Sequence, residues 1–292
     1  MIEILHGTHE TVSYEERFGI RLYLNEQAED YPIHWHTAAE IIMPLENWYK
    51  AVVNGTEHVL QPGDILVIPP GELHQLFAPP HGNRIILQFD STQLHMLNGF
   101  ASSLHLLRPC TVVRKDTDEG LHSVLKPLLL DIMEEYFSNT LLKEAAAYSF
   151  LIQFFVTLGR HFLKGENRFP NTTSRKQHEY MEKFLEVCDY INSHCAETLQ
   201  LDDLAALAGF SKYHFIRLFK QFVGMSCYSY LNQQRIMYAE KLLIDPSLSI
   251  TDVAMQSGFV SLATFNRVFK TYKNCTPTQY KLLQGVHILN EA

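Results

Sequence analysis

The 292-residue chain has no apolar run long enough to cross a bilayer. Its greasiest stretch, 145–158, is broken by Ser149, Gln153 and Thr157. The first eighteen residues are rich in charge and histidine and lack the apolar segment of a secretory leader. Cysteine is scarce: Cys110, Cys188, Cys195, Cys227 and Cys275 are odd in number and form no CxxC pair. That argues against a disulfide scaffold or zinc ribbon and for reduced thiols in a cytoplasm. Charge is also sparse, at 19% of residues, with 24 Lys and Arg against 32 Asp and Glu for a net −8. Such a sum alone argues against a nucleic-acid binder, but the distribution of charge decides that question rather than its total. Between Gly209 and Lys281 nine basic residues (Lys212, Arg217, Lys220, Arg235, Lys241, Arg267, Lys270, Lys273, Lys281) face three acidic ones (Glu240, Asp245, Asp252), a local excess of six positive charges. A basic module on an acidic partner can still hold phosphates.

What is present falls into three textures. Residues 1–115 alternate short apolar runs (Ile41–Met43, Ala51–Val53, Ile65–Ile68, Ile85–Leu87) with turn signals at Asn54-Gly55, Pro62-Gly63, Pro69-Pro70-Gly71 and Gly82-Asn83. Many short strands at that spacing predict a β-barrel or sandwich. Residues 116–165 switch to helical period, with helices expected over 118–137 and 140–163 around a Ser138-Asn139 turn. The second of these is apolar nearly all round and must be covered on more than one side, by the barrel and by other helices or a second copy of the chain. Residues 166–177 are polar, with Gly, Pro and a Ser/Thr cluster, and read as a linker; 178–292 read as helix throughout. The fold class expected is α+β: a barrel and helical hairpin, then an all-α domain.

The all-α part contains a duplication. Ser211–Phe222 aligns with Ser261–Tyr272 at an offset of 50, sharing Ser, Phe, Arg, Phe and Lys. Upstream, Leu204-Ala205 and Gly209-Phe210 pair with Val253-Ala254 and Gly258-Phe259 at an offset of 49. Each copy reads as short helix, glycine turn, serine N-cap and longer helix, so a helix-turn-helix occurs twice. Helical spacing sends Phe215, Leu218, Phe219 and Phe222 inward in the first copy and Phe265, Val268, Phe269 and Tyr272 in the second. Tyr213, Ile216, Arg217 and Lys220 fall on the opposite face, as do Ala263, Asn266, Arg267 and Lys270. An outward Arg early in such a helix reaches base edges or phosphate, and the following Lys reaches phosphate. Between the copies, 228–243 forms a helical strut of roughly 24 Å. With its end turns it spaces the two outward faces about one DNA turn, or 34 Å, apart.

Residues 181–283 resemble the DNA-binding domain of the AraC/XylS family. The resemblance rests on Leu204-Ala205, Gly209-Phe210-Ser211, Leu218-Phe219-Lys220, Gly224, Ser226 and Arg235, then Ile250, Gly258-Phe259, Arg267-Val268-Phe269-Lys270 and Thr276-Pro277. It implies a sequence-specific regulator bound to double-stranded DNA, with Tyr213, His214 and Arg217, and then Ala263, Thr264 and Arg267, at base-facing positions. Ser211, Lys212, Lys220, Asn266 and Lys270 complete the expected DNA-contact set. Two departures stand out: Cys227 replaces a usual Pro, and Leu262-Ala263 replace usual polar residues, which weakens base readout by the second unit.

In the first texture, His34-Trp35-His36 and Glu40, followed by Pro70-Gly71-Glu72-Leu73-His74, resemble the cupin double motif. Three imidazoles and a carboxylate suit Zn, Fe(II), Mn or Ni. The same four residues equally suit a pocket that hydrogen-bonds a small polar effector, a sugar among the candidates, or a satisfied core cluster. Nearby aromatics, Trp35, Trp48 and Tyr49, are candidate stacking planes. Two functions therefore stand: a homodimeric regulator that is not an enzyme and answers to an effector in its barrel, and a metal-dependent cupin enzyme with an appended DNA-binding domain.

Overall fold

A computed structural model describes residues 5–6, 8–14, 18–94, 97, 100, 104, 107–165, 169, 172–273 and 275–288. The chain divides into two compact units, 1–166 and 167–292.

The first unit is two antiparallel sheets with helices against one of them. Its strands are β1 (Leu5–His6), β2 (His9–Glu10), β3 (Ile20–Asn25), β4 (Tyr31–His34), β5 (Ala39–Pro44), β6 (Tyr49–Val53), β7 (Thr56–Leu60), β8 (Ile65–Ile68), β9 (His74–Phe77), β10 (Arg84–Phe89) and β11 (Thr111–Val113). A five-stranded sheet runs β11-β8-β5-β10-β3, a four-stranded sheet runs β4-β9-β6-β7, and β1 pairs with β2. The expected turns do their work: Asn54 and Gly55 both take positive φ to close β6 onto β7, Val53 facing Thr56. Strand β5 is buried along its whole length because both of its faces are covered. Ile42 packs with Tyr49, Leu66 and Leu76 between the sheets. Ile41 and Met43 face the other way into a cluster with Leu125, Leu129, Leu151 and Phe155. Those last residues belong to α1 (Glu119–Phe137) and α2 (Lys143–Gly165).

Helix α2 starts three residues later than its periodicity predicts. Leu142 sits at φ 62°, a left-handed conformation that cannot continue a helix, and the Ser138 and Thr140 hydroxyls bond locally instead. Its apolar girth is largely used within the chain, since Ala147, Leu151, Phe154, Phe155 and Leu158 are all buried, while Val156 remains exposed. Among the described residues no helix is long and apolar enough to cross a membrane.

The second unit is α3 (Ser174–His194), α4 (Leu201–Leu207), α5 (Lys212–Val223), α6 (Cys227–Leu243), α7 (Ile250–Gln256), α8 (Leu262–Lys273) and α9 (Pro277–Ile288). Helix α3 begins inside the stretch read as linker, where the Thr173 side chain caps Lys176 N–H. The two copies are matched in length: seven residues in α4 and α7, twelve in α5 and α8. Gly209 and Gly258 make the two turns at φ 70° and 86°. Phe184 of α3 sits among Phe210, Phe215, Phe219 and Phe222, so the first copy is built around an aromatic core. Cys227 occupies the first position of α6 after the Ser226 cap, the one helical site where neither Pro nor its absence matters much.

Candidate functional site

Two constellations emerge, one in each unit. In the second, the outward faces of α5 and α8 are open as expected: Tyr213, Arg217 and Lys220 are exposed, as are Asn266, Arg267 and Lys270. None of these four cations has an ion-pair partner among the described residues. The other expected contacts are more constrained. Lys212 is paired with Asp202 at 2.8 Å, and that carboxylate raises its pKa. His214 is half-buried, edge-on to Phe210 at 5.1 Å between centroids. Thr264 gives its backbone N–H to Ser261 Oγ, whose own proton goes to the Thr264 hydroxyl. Ser211 stands at the N-cap of α5 yet makes no side-chain cap bond, so the serine caps of the two copies are not equivalent.

The positive charge counted from the sequence shrinks on inspection. Arg235 is buried and donates to the Cys195 carbonyl at 2.7 Å and the Glu197 carbonyl at 2.9 Å. Lys273 is buried against Glu240 at 2.6 Å. Lys281 donates to the Asp245 and Leu248 carbonyls. These three hold the helices together and are not available to a partner. Arg217, Lys220, Lys241, Arg267 and Lys270 are left exposed.

In the first unit the four motif residues converge. Strand β4 ends at His34, directly opposite His74 in β9. His36 lies just past the strand, but Trp35 still bonds its backbone to Thr8 and Glu10, so the alternation holds and both histidines turn inward. Gly71, at φ 81° in the second motif half, gives its N–H to the His36 carbonyl and so ties the two halves together. Donor nitrogens of His34, His36 and His74 all lie within 4.8 Å of one another. Glu40 Oε2 is 3.2 Å from His74 Nε2 and 3.8 Å from His36 Nε2.

The tautomers follow from the partners. Each Nδ1 faces a backbone carbonyl, Pro32, Ala38 and Glu72 respectively, and a carbonyl only accepts, so each Nδ1 carries a proton. The Nε2 atoms are thereby left near one another and Glu40, and those of His36 and His74, like Glu40 Oε2, have no aligned hydrogen-bond partner. Burial, with His74 and His36 beside it, holds His34 well below the usual histidine range. Burial opposes charge on Glu40, but His36 and His74 prevail and keep its carboxyl far below normal. His36 is also penalised by burial, yet Glu40 and Glu10 lift it above its ordinary value. An ionised carboxylate in this interior demands a positive charge, and a proton or a cation at the Nε2 atoms supplies it. Three carbonyl-anchored imidazoles beside a carboxylate fit a divalent transition metal.

Four functional candidates escaped the sequence reading. Glu10 Oε2 is 3.4 Å from His34 Nε2 and 3.9 Å from His36 Nε2. Tyr31 donates to Glu10 at 2.8 Å, and Gln88 donates to Glu40 at 3.1 Å. Arg84 is buried over the Tyr49 ring at 4.4 Å and bonds Asn25 and the Gln27 carbonyl. A signal for two of them existed: Arg84 and Gln88 share one parity in an otherwise apolar strand, the mark of a polar interior. Glu10 had none, being 24 residues before His34 and outside any motif. The cavity these residues line, about 30 Å³, includes Tyr49 but neither Trp35, which is buried elsewhere, nor Trp48 on the surface.

A sandwich with a histidine-lined interior, followed by two helix-turn-helix units, defines a class of two-part regulators. The family profile of the AraC-like ligand binding domain matches residues 19–151, and that of a helix-turn-helix domain matches 204–282. The probable transcription factor PqrA of Proteus vulgaris is 39% identical over 85 residues, 29% of this chain and 70% of that protein. The HTH-type transcriptional activator AarP of Providencia stuartii is 32% identical over 117 residues, 40% of this chain and 87% of that one. An HTH-type transcriptional regulator of Staphylococcus aureus is 28% identical over 220 residues; these make up 75% of this chain but only 28% of that larger protein. The chain belongs to the AraC family of transcriptional regulators.

Proposed function

We propose that the chain binds duplex DNA through α5 and α8 and regulates transcription, with the first unit sensing a small polar ligand. One observation carries the DNA reading. Two helices of equal length, each set behind a seven-residue helix and a positive-φ glycine, present an unpaired Arg and Lys at matching exposed positions. Arg217 and Arg267 serve as the base-reading pair, Lys220 and Lys270 as phosphate contacts, and exposed Tyr213 and Asn266 as supplementary contacts. Leu262 and Ala263 at the start of α8, with Val260 exposed just before them, make the second unit an anchor whose main specific contact is Arg267. The spacing from α6 sets the two contact regions about ten base pairs apart.

The test is equilibrium binding of the full chain to duplexes enriched from a randomised pool. Arg217→Ala is expected to weaken the preferred duplex by about 1–3 kcal/mol and to relax its sequence preference. Lys220→Ala is expected to weaken all duplexes alike and reduce the salt slope by about 1. Equal affinity of wild type and the Arg217→Ala/Arg267→Ala double variant for every duplex overturns the assignment.

The sensing site is the cluster of His34, His36, Glu40 and His74, which would hold a divalent metal through their Nε2 and carboxylate atoms, with the small cavity that His34, Glu40 and Glu10 line beside it. Such an ion offers a Lewis-acidic anchor for a ligand's oxygen. The volume of about 30 Å³ accommodates an ion and one or two waters, so a sugar-sized effector requires the side chains around it to move. Self-association through α1 and α2, where Val124 and Val156 are exposed, completes the proposal, and a cytoplasmic location follows from it. The rival reading, a metal-dependent enzyme, draws on the same cluster; turnover of a small substrate by the metal-loaded full chain would favour it.

A further inference from the structure

Glu10 lies far from the motif that brings the histidines together, on a two-residue strand near the start of the described chain. Its side chain is nonetheless almost wholly buried, at 2% exposure, and turned into the same interior as Glu40. The backbone puts it there: Glu10 N–H donates to the Trp35 carbonyl at 3.0 Å, and Trp35 N–H to the Thr8 carbonyl at 2.8 Å. Trp35 separates His34 from His36, so residues 8–10 are stitched to the chain between two of the candidate ligands.

The carboxylate is also aimed. Tyr31 holds Oε1 at 2.8 Å, which leaves Oε2 toward the imidazoles. Gln88 Nε2 spans both acids, at 3.4 Å from Glu10 Oε2 and 3.1 Å from Glu40 Oε1. Donors held about 2.1 Å from one ion sit about 3.0 Å apart when adjacent in an octahedron and about 4.2 Å apart when opposite. The separations here are 3.2 Å for His74–Glu40, 3.4 Å for His34–Glu10, 3.8 Å for His36–Glu40 and 3.9 Å for His36–Glu10, with the imidazole nitrogens within 4.8 Å of one another, so small side-chain shifts bring all five donors onto one ion. Charge points the same way. Two carboxyl groups buried this close oppose each other's ionisation, and one divalent ion offsets both.

We infer that Glu10 is a fifth ligand of a divalent cation held by His34, His36, His74 and Glu40, and that the cation pins the amino-terminal strand pair to the barrel. This rests on the metal reading of the site, not on DNA binding. A purely structural Glu10, held by Tyr31 and Gln88 alone, would order the segment whether or not a cation is present.

The experiment uses the full chain stripped with a chelator and titrated with Co²⁺. Its visible spectrum reports coordination, and elemental analysis gives the stoichiometry. Hydrogen exchange at residues 8–14 is followed with and without the ion. Wild type is expected to bind one Co²⁺ and to slow exchange at the Glu10 amide at least tenfold. Glu10→Gln, which keeps the shape and the Tyr31 partner, is expected to bind at least tenfold more weakly, with an altered spectrum and no ion-dependent slowing at 8–14. His36→Ala serves as the control with no stoichiometric ion. If Glu10→Gln binds as tightly as wild type, or keeps the ion-dependent protection, the inference falls while the four-ligand site stands. If wild type binds no stoichiometric ion, both fall.

Discussion

Lys273 ends α8 and Glu240 lies on α6, and they meet at 2.6 Å with both side chains almost fully buried. The Tyr280 hydroxyl of α9 donates to the same carboxylate at 3.0 Å, so three helices share one ion pair. Lys273→Met strands the carboxylate in the interior and is expected to cost about 3–5 kcal/mol. Lys273→Met with Glu240→Leu removes both charges and is expected to recover most of that loss, leaving about 1 kcal/mol for the lost Tyr280–Glu240 hydrogen bond. Urea unfolding followed by hydrogen exchange at the amides of α6 and α8 reads this unit separately from the first, whose α1 and α2 are helical too. A double variant no more stable than the single would show that the pair contributes in another way. The sequence could not reveal this role. Lys273 stands four residues after Phe269 and so at the edge of the inward face, but nothing in the spacing names Glu240 on α6 as its partner. Arg235 and Lys281 were miscounted for the same reason, since their partners are backbone carbonyls at least 33 residues away. The histidines were legible because the motif spacing fixes strand parity; Glu10 was not, because its neighbour is set by strand pairing alone.

At the level of elements, the duplication was readable down to the helix lengths, since serine, glycine and aromatic positions repeat at a near-constant offset. The inequality of the two turns was not. Gly209 and Gly258 both need positive φ, but a Cβ on Gly209 would meet only the Lys183 ammonium at 3.6 Å. A Cβ on Gly258 would sit 2.8 Å from the carbonyl oxygens of both Cys195 and Ala196. Gly209→Ala is therefore expected to cost about 1–2 kcal/mol, the backbone term alone. Gly258→Ala adds a backbone collision and is expected to cost at least about 1 kcal/mol more. The same denaturation curves check the order, and equal losses would mean that the end of α3 yields. The second turn is thus wedged against α3, which Arg235 also grips through the Cys195 carbonyl.

Over the whole molecule, the acidic total conceals a split between a unit with a polar, histidine-rich interior and a unit with Arg217, Lys220, Arg267 and Lys270 exposed on two matched helices. The division was visible in texture, as alternating strands gave way to helical period, because core burial imposes those periods directly. How a ligand in one unit alters what the other presents depends on differential affinity of its states, which is not a sequence pattern. The central claim, that one polypeptide reads duplex DNA with α5 and α8 together, is tested most directly by a major-groove chemical footprint of the full chain on its preferred duplex. The prediction is two protected patches about ten base pairs apart on one face, the one lost in Arg217→Ala and the other in Arg267→Ala. A single patch, or two patches that persist in both variants, would contradict it.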